Sequence, residues 1–159
     1  MAEKRHEGIK QALGVVLFVI YLIVLVYLLF FAEGYGRTAS SEMRYNFIPF
    51  HEIKRYLTHI DRIGPWLVFI NVFGNILIFL PFGYLVSFFW RKKNFIAVKA
   101  FFLTMFFSCA IECAQLVTRV GSCDVDDVIL NTTGGLIGSI LYLLIRYCRR
   151  KNEPHSDEA

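Results

Sequence analysis

The chain has 159 residues, of which 56% are hydrophobic, with a mean hydropathy of +0.51 and a formal net charge of +4 at pH 7. This length suggests a single domain, residues 1–159, but the apolar composition excludes an ordinary water-soluble globular protein. The basic residues are not interleaved with aromatic residues as they are in a nucleic-acid patch. No nucleic-acid partner is therefore expected.

Four long apolar stretches account for this composition, and each could cross a hydrocarbon core of ~30 Å as a helix of about 20 residues. We predict an all-α integral membrane protein whose spans lie at residues 11–32, 64–90, 96–118 and 128–145. The first stretch follows several basic residues, as a signal peptide would. Its apolar run exceeds the usual ~7–15 residues and no small-residue cleavage pattern follows, so we expect a retained signal anchor.

The distribution of lysine and arginine predicts the orientation of these spans. Eleven of them lie beside the N-terminus, the second connection and the C-terminus, whereas six are spread over the first and third connections. Because basic connections are retained in the cytoplasm, both termini are expected there and the first and third connections outside. The prediction is a multi-pass plasma-membrane protein that contacts membrane lipids.

The first outside connection carries its own helical pattern. From Phe50 to Ile63, apolar residues recur at helical spacing, and basic or polar residues fill the other positions. This pattern predicts an extracytoplasmic amphipathic helix between the first and second spans, either in the headgroup plane or packed on the bundle. Asn46 and Pro49 belong to the turn-like segment before it, since Pro49 would stay out of the helix interior.

Glu112 poses the main functional question, because an ionisable group within a span is costly unless it faces the bundle interior or a wet cavity. In the predicted orientation it lies in the extracytoplasmic half of the third span. Polar residues of all three later spans share this depth, which predicts an outward-facing polar cleft. They are Asn71 and Asn75 of the second span, Gln115 of the third, and Asp124, Asp126, Asp127 and Asn131 around the start of the fourth.

Helical spacing places these residues in stripes. The polar stripe of the third span consists of Thr104, Ser108, Glu112, Gln115 and Arg119. The stripe of the fourth consists of Asp124, Asp127, Asn131, Gly135 and Gly138, and together with Gly134 its glycines form a seam for close helix packing. Because a short turn joins the two spans, they are expected to be antiparallel neighbours whose stripes can face each other.

Structural roles compete with the cleft interpretation. The amide side chains can cross-link helices by hydrogen bonds, which is the favoured reading for Gln115, while Asp124, Asp126 or Asp127 can cap the fourth helix. Glu112 and Asp127 are the candidates for acid–base work or cation binding, although no familiar catalytic motif accompanies them. The four cysteines have no metal-binding spacing, so we expect neither a metal nor a cofactor.

Four motifs together resemble the VanZ-like family of small bacterial membrane proteins. They are Asn46-Phe-Ile-Pro49-Phe50, the segment from Asn71 to Gly83, Glu112-Cys-Ala-Gln115, and the segment from Gly121 to Gly138. They occur in the family's order within a motif-bearing core at about residues 45–142. The resemblance implies a bacterial plasma-membrane protein linked to teicoplanin resistance, in a family without a settled reaction.

Three functions are consistent with this resemblance. The first is an envelope protein that lowers susceptibility to lipoglycopeptides such as teicoplanin, with a cleft that binds or acts on an envelope lipid or a lipid-linked cell-wall precursor. The second is a membrane enzyme on a lipid-linked substrate, with Glu112 and Asp127 as acid and base. The third is a non-catalytic scaffold or small transporter. The ligand, any reaction and the oligomeric state stay open.

Overall fold

The computed structural model describes residues 2–31, 44–91 and 94–152, with the side chains of the first helix described from Gly8 onward. Within these residues the chain forms six helices and two short strands. In chain order they are α1 (Ala2–Phe30), β1 (Tyr45–Asn46), α2 (His51–Thr58), α3 (Ile60–Ile63), α4 (Pro65–Phe89), α5 (Ile96–Thr118), β2 (Cys123–Asp124) and α6 (Val125–Asn152).

Four of the described helices are long and apolar enough to cross a membrane, which confirms the predicted all-α membrane architecture. The segments are Gly8–Phe30, Pro65–Phe89, Ile96–Thr118 and Val125–Asn152. Helix α6 exceeds the predicted 128–145 span at both ends, because acidic residues form its first turn and basic residues its last. The cytoplasmic placement of both termini stays a prediction, and residue 32 of the predicted first span lies outside the described residues.

Glycines set the distance between α4 and α6. A Cβ atom added to Gly83 of α4 would lie 1.8 Å from the carbonyl oxygen of Gly135 of α6. Added Cβ atoms at Gly134 and Gly138 would lie 2.2 and 2.0 Å from backbone carbonyl oxygens of α4. The two backbones are therefore in direct contact, which small residues permit in membrane helices.

Helix α1 lies against α4 and is otherwise largely exposed. Leu25 and Leu29 are buried and join an aromatic core cluster. Two side chains hold α1 in place: Tyr21 Oη donates to the backbone carbonyl of Ile78 (2.9 Å), and Gln115 Nε2 donates to that of Leu29 (3.1 Å). Gln115 thus cross-links α5 to α1.

The predicted amphipathic segment forms two short helices, α2 and α3, with a break at His59 and no fully buried residue in either. The strand before α2 pairs in parallel with the strand before α6. This pairing places Tyr45 opposite Cys123 and Asn46 opposite Asp124. The chain segment that leads into α2 is consequently attached to the turn between α5 and α6.

Candidate polar site at the α2 end of the bundle

The carboxylate of Asp126 connects α6 to α2. Asp126 is 1% exposed and lies in the first turn of α6. Its Oδ1 accepts a hydrogen bond from the backbone N–H of Phe50 (2.5 Å), and its Oδ2 accepts from those of Glu52 (2.8 Å) and Ile53 (3.1 Å). The N-cap side chain of α2 itself makes no capping bond. Asp126 therefore supplies the cap from another helix, where its negative charge also suits the helix dipole.

Asp124 takes the local capping role at α6. Its Oδ1 accepts a hydrogen bond from the backbone N–H of Asp126 (2.9 Å) and another from Asn46 Nδ2 (3.2 Å). Asn46 Oδ1 in turn accepts from the backbone N–H of Ile48 (3.1 Å). One aspartate thus begins α6 and also fixes the turn that precedes α2.

Glu112 is buried inside the bundle, with 4% of its surface exposed. Its Oε2 accepts a hydrogen bond from the backbone N–H of Asp124 (2.9 Å). This bond joins the last third of α5 to the turn before α6, so the buried carboxylate has a structural partner. Glu112, Asp124 and Asn46 consequently form one connected group.

Two further polar contacts connect α6 to its neighbours. Asn75 Nδ2 of α4 donates to Asp127 Oδ1 (2.6 Å), and Asn131 Nδ2 donates to Ser108 Oγ of α5 (2.8 Å). The α6 stripe is thus divided between α4 and α5. Gly135 continues it toward α5, since a Cβ there would lie 2.3 Å from Thr104 Oγ1.

The other predicted site residues lie on α4, before α2 and at the end of α5. Asn71 is half-buried and donates to the Leu67 carbonyl of its own helix (2.8 Å). Pro49 is exposed just before α2, and Arg119 is exposed at the C-cap of α5 with a left-handed φ of 58°. The structure therefore joins Asn46, Asp124 and Glu112 in one group, pairs Asn75 with Asp127, and pairs Asn131 with Ser108. We call these three sets of contacts the polar network.

The cap that Asp126 provides for α2 is the main feature of the site that the sequence does not predict, since the pattern places this residue only at the cleft mouth or as a cap of the fourth helix. Its partners lie 73 to 76 positions earlier in the chain, so no local spacing rule identifies it. The sequence does contain a surplus of acids, since one aspartate suffices to cap α6 and three occur together. That surplus is the available signal that one of them serves another element.

Two buried amide oxygens, Gln115 Oε1 and Asn131 Oδ1, have no hydrogen-bond partner among the described residues. An unpaired polar atom is costly in a membrane interior, so each is a position where a water molecule or a polar ligand group would be favourable. No cluster of three or more histidine, cysteine, aspartate or glutamate side chains that could hold a metal ion is found in the part of the chain that the structure describes.

Burial raises the pKa of the Asp124 carboxyl group above its ordinary value of 3.8, an effect partly offset by the hydrogen bond from Asp126. Burial also raises the pKa of the neighbouring Cys123 thiol to about 11. Both groups lie in the turn before α6. This turn therefore disfavours negative charge on its own side chains.

The raised pKa of Asp124 predicts a pH-dependent stability. The folded protein keeps this proton at pH values where the unfolded chain has released it, so stability falls as pH rises from 3.8 through the raised pKa. Asp124→Asn keeps an acceptor oxygen for the cap and removes the charge. We expect its melting temperature in detergent to fall less steeply over this range than that of the wild type. Parallel curves for the two proteins would contradict this assignment.

A groove with a volume of about 350 Å³ lies beside the polar network, between α1 and α4. Leu28 and Leu29 of α1 line it, together with residues of α4 between Trp66 and Ile78. Asn71 and Asn75 are its polar members, so the groove borders the network through the Asn75–Asp127 contact.

The profile of the VanZ/LLP1 family matches residues 18–146 of this chain. This chain belongs to the VanZ/LLP1 family. It is also 30% identical over 129 residues to Protein VanZ of Enterococcus faecium, an alignment that covers 79% of this chain and 71% of the relative. No solved structure matches the chain.

Membership of the VanZ/LLP1 family and the four apolar helices make this chain a multi-pass bacterial membrane protein. The matched region begins within α1, ahead of the motif-bearing core at residues 45–142, and ends within α6. It therefore includes the groove, the polar network and α2. The family's shared region thus covers every contact described above for this end of the bundle.

Proposed function

We propose that this VanZ-family protein lowers the susceptibility of its bacterial host to lipoglycopeptides such as teicoplanin, acting at the outer face of the plasma membrane. Family membership supports the phenotype. One structural observation supports the place: four acidic residues, Glu112, Asp124, Asp126 and Asp127, gather at the end of the bundle that carries α2. With both termini in the cytoplasm, that end faces outward.

The site would bind or act on an envelope lipid or a lipid-linked cell-wall precursor. Asn46 and Pro49 would shape its entrance, because they precede α2 at the rim of the network. The amides of Asn71, Asn75 and Asn131 would hydrogen-bond the ligand. Glu112 and Asp127 would supply charge in a region where low polarity strengthens electrostatic interactions.

A membrane enzyme is the second candidate. The observation in its favour is the burial of the Glu112 carboxyl group in a spanning helix, a setting typical of functional acids. Its Oε2 accepts a hydrogen bond from the backbone N–H of Asp124, and Asp127 accepts one from Asn75. These contacts hold the two carboxylates in position, which suits ligand binding as well as catalysis. Glu112 and Asp127 would serve as acid and base in such an enzyme.

Glu112→Gln tests whether the charge is used. The glutamine amide oxygen can still accept the Asp124 N–H, so the fold is expected to be retained while the ionisable group is lost. In a susceptible Gram-positive host at matched membrane levels, we expect this variant to fall to the inhibition level of the empty vector in teicoplanin. Cys113→Ser, an exposed neighbour on α5, serves as the control. Full protection by Glu112→Gln would instead indicate a scaffold that needs no charge there.

A further inference from the structure

Gly74 of α4 differs from the glycines that form the α4–α6 contact. Added Cβ atoms at Gly83, Gly134 and Gly138 would collide with backbone, whereas one at Gly74 would meet its nearest atom, Ile70 Cγ2, at 3.8 Å. Glycine in a helix interior costs about 1 kcal/mol relative to alanine. Helix packing therefore does not require glycine at position 74, and the space above it belongs to the groove between α1 and α4.

The shape of this groove suits an elongated apolar molecule. From Trp66 to Ile78 the α4 wall rises ~18 Å at 1.5 Å per residue, slightly more than one leaflet of a ~30 Å hydrocarbon core. Trp66 and Phe69 stack with a centroid distance of 6.0 Å and are 68% and 45% exposed, so the groove opens toward lipid. A straight hydrocarbon chain parallel to α4 would fit this space.

Fixed walls distinguish the groove from a transient gap. The Tyr21–Ile78 hydrogen bond joins α1 to α4 at the groove end nearer the bilayer centre. The Gln115–Leu29 bond holds the α1 wall against α5. Two tertiary hydrogen bonds therefore fix the position of α1 beside the groove, as expected of a pre-formed ligand site.

Asn71 adds a polar feature partway along the groove. Its Nδ2 donates to the Leu67 carbonyl of the same helix (2.8 Å), and the same amide carries an acceptor oxygen, Oδ1. That oxygen can accept a hydrogen bond from a hydroxyl or amide N–H group. A ligand with an apolar tail and such a group near its polar end would contact the apolar walls and also hydrogen-bond to Asn71.

We propose that this groove binds one acyl chain of a lipid from the leaflet on the α2 side, with the tail over Gly74 and a polar group at Asn71. This inference deepens the proposed function by naming the class of ligand. Only its consequence for teicoplanin susceptibility in cells rests on the proposed function. The groove would give an envelope lipid a defined position beside the acidic network, through the shared residue Asn75.

Photolabelling tests the proposal directly. The full chain is placed in nanodiscs of phosphatidylglycerol that carries a diazirine midway along one acyl chain. After irradiation, mass spectrometry compares label on residues 66–78 with label on the exposed surface around Leu144 of α6. We expect the wild type to be labelled preferentially in the groove. In Gly74→Leu, whose side chain fills the groove, the ratio of groove label to surface label should fall roughly tenfold.

Gly8→Leu is the matched control, since a Cβ at Gly8 meets nothing within 4 Å and the residue lies outside the groove. Gly74→Ala should give an intermediate loss, which separates groove filling from misfolding. Unchanged labelling of Gly74→Leu would overturn the proposal, as would groove peptides cross-linked to a second copy of the chain. The labelling ratio tests lipid binding in the groove, whereas protection of cells against teicoplanin by the wild type tests the proposed function. Either proposal can therefore fail while the other stands.

Discussion

Gly83→Ala is expected to destabilise the protein by roughly 3 kcal/mol, the upper end of the ~1–3 kcal/mol that overpacking of a tight contact typically costs. The added methyl group would lie 1.8 Å from the Gly135 carbonyl oxygen, which is backbone and has little freedom to move. Helices α4 and α6 would have to separate along their contact. Thermal unfolding in detergent, followed by tryptophan fluorescence, measures the loss.

Gly74→Ala is the matched control for this prediction. It makes the same chemical change nine positions earlier on the same helix, where the nearest atom to the new methyl group is 3.8 Å away. Its stability should equal or exceed the wild-type value by up to about 1 kcal/mol, the difference in helix propensity. Equal melting temperatures for the two variants would show that α4 and α6 do not meet at Gly83.

Asp126→Ala is expected to release α2 from the bundle. The substitution removes all three acceptor contacts to the N–H groups of Phe50, Glu52 and Ile53. Hydrogen bonds to a charged group contribute about 1.5–3 kcal/mol, so the loss is large relative to the stability of a helix of eight residues. Hydrogen–deuterium exchange of α2 amides should accelerate by at least roughly tenfold, which corresponds to 1.4 kcal/mol.

Asp61→Ala controls for the loss of an acidic residue, because Asp61 is exposed on α3. Asp126→Asn should give an intermediate rate, since one acceptor oxygen is kept. Trypsin cleavage at Lys54 and Arg55 offers a second readout of the same release. If α2 amides exchange at the wild-type rate in Asp126→Ala, the inter-helical cap does not hold α2.

Hydropathy predicts the membrane helices because each span must satisfy its own backbone hydrogen bonds in lipid. The boundaries of α4 and α5 lie within one residue of the prediction. Helix α6 is longer than its apolar core, because acidic residues in its first turn and basic residues in its last turn are compatible with a helix. A prediction from hydropathy alone does not include these charged turns. The parallel pairing of Tyr45 with Cys123 has no sequence signal, because two-residue strands leave no periodicity.

The site is predictable only as far as depth and helix face. The predicted topology places Glu112, Asp127 and Asn131 at one level, and helical spacing predicts stripes that face the neighbouring helices. Which side chains bond to each other depends on the rotation and distance of packed helices. The Asn75–Asp127 contact and the cap from Asp126 are therefore visible only in the three-dimensional structure. The groove is likewise visible only in the structure, because the open space above Gly74 depends on how α1 and α4 lie relative to each other.

Growth inhibition by teicoplanin, with vancomycin in parallel, tests the central claim most directly. A susceptible Gram-positive host would carry either the empty vector or this chain, with membrane insertion verified by immunoblot. The account predicts that cells with the chain need a higher teicoplanin concentration for inhibition than cells with the empty vector. Equal teicoplanin inhibition of the two strains, with the chain present in the membrane, would contradict the proposed function.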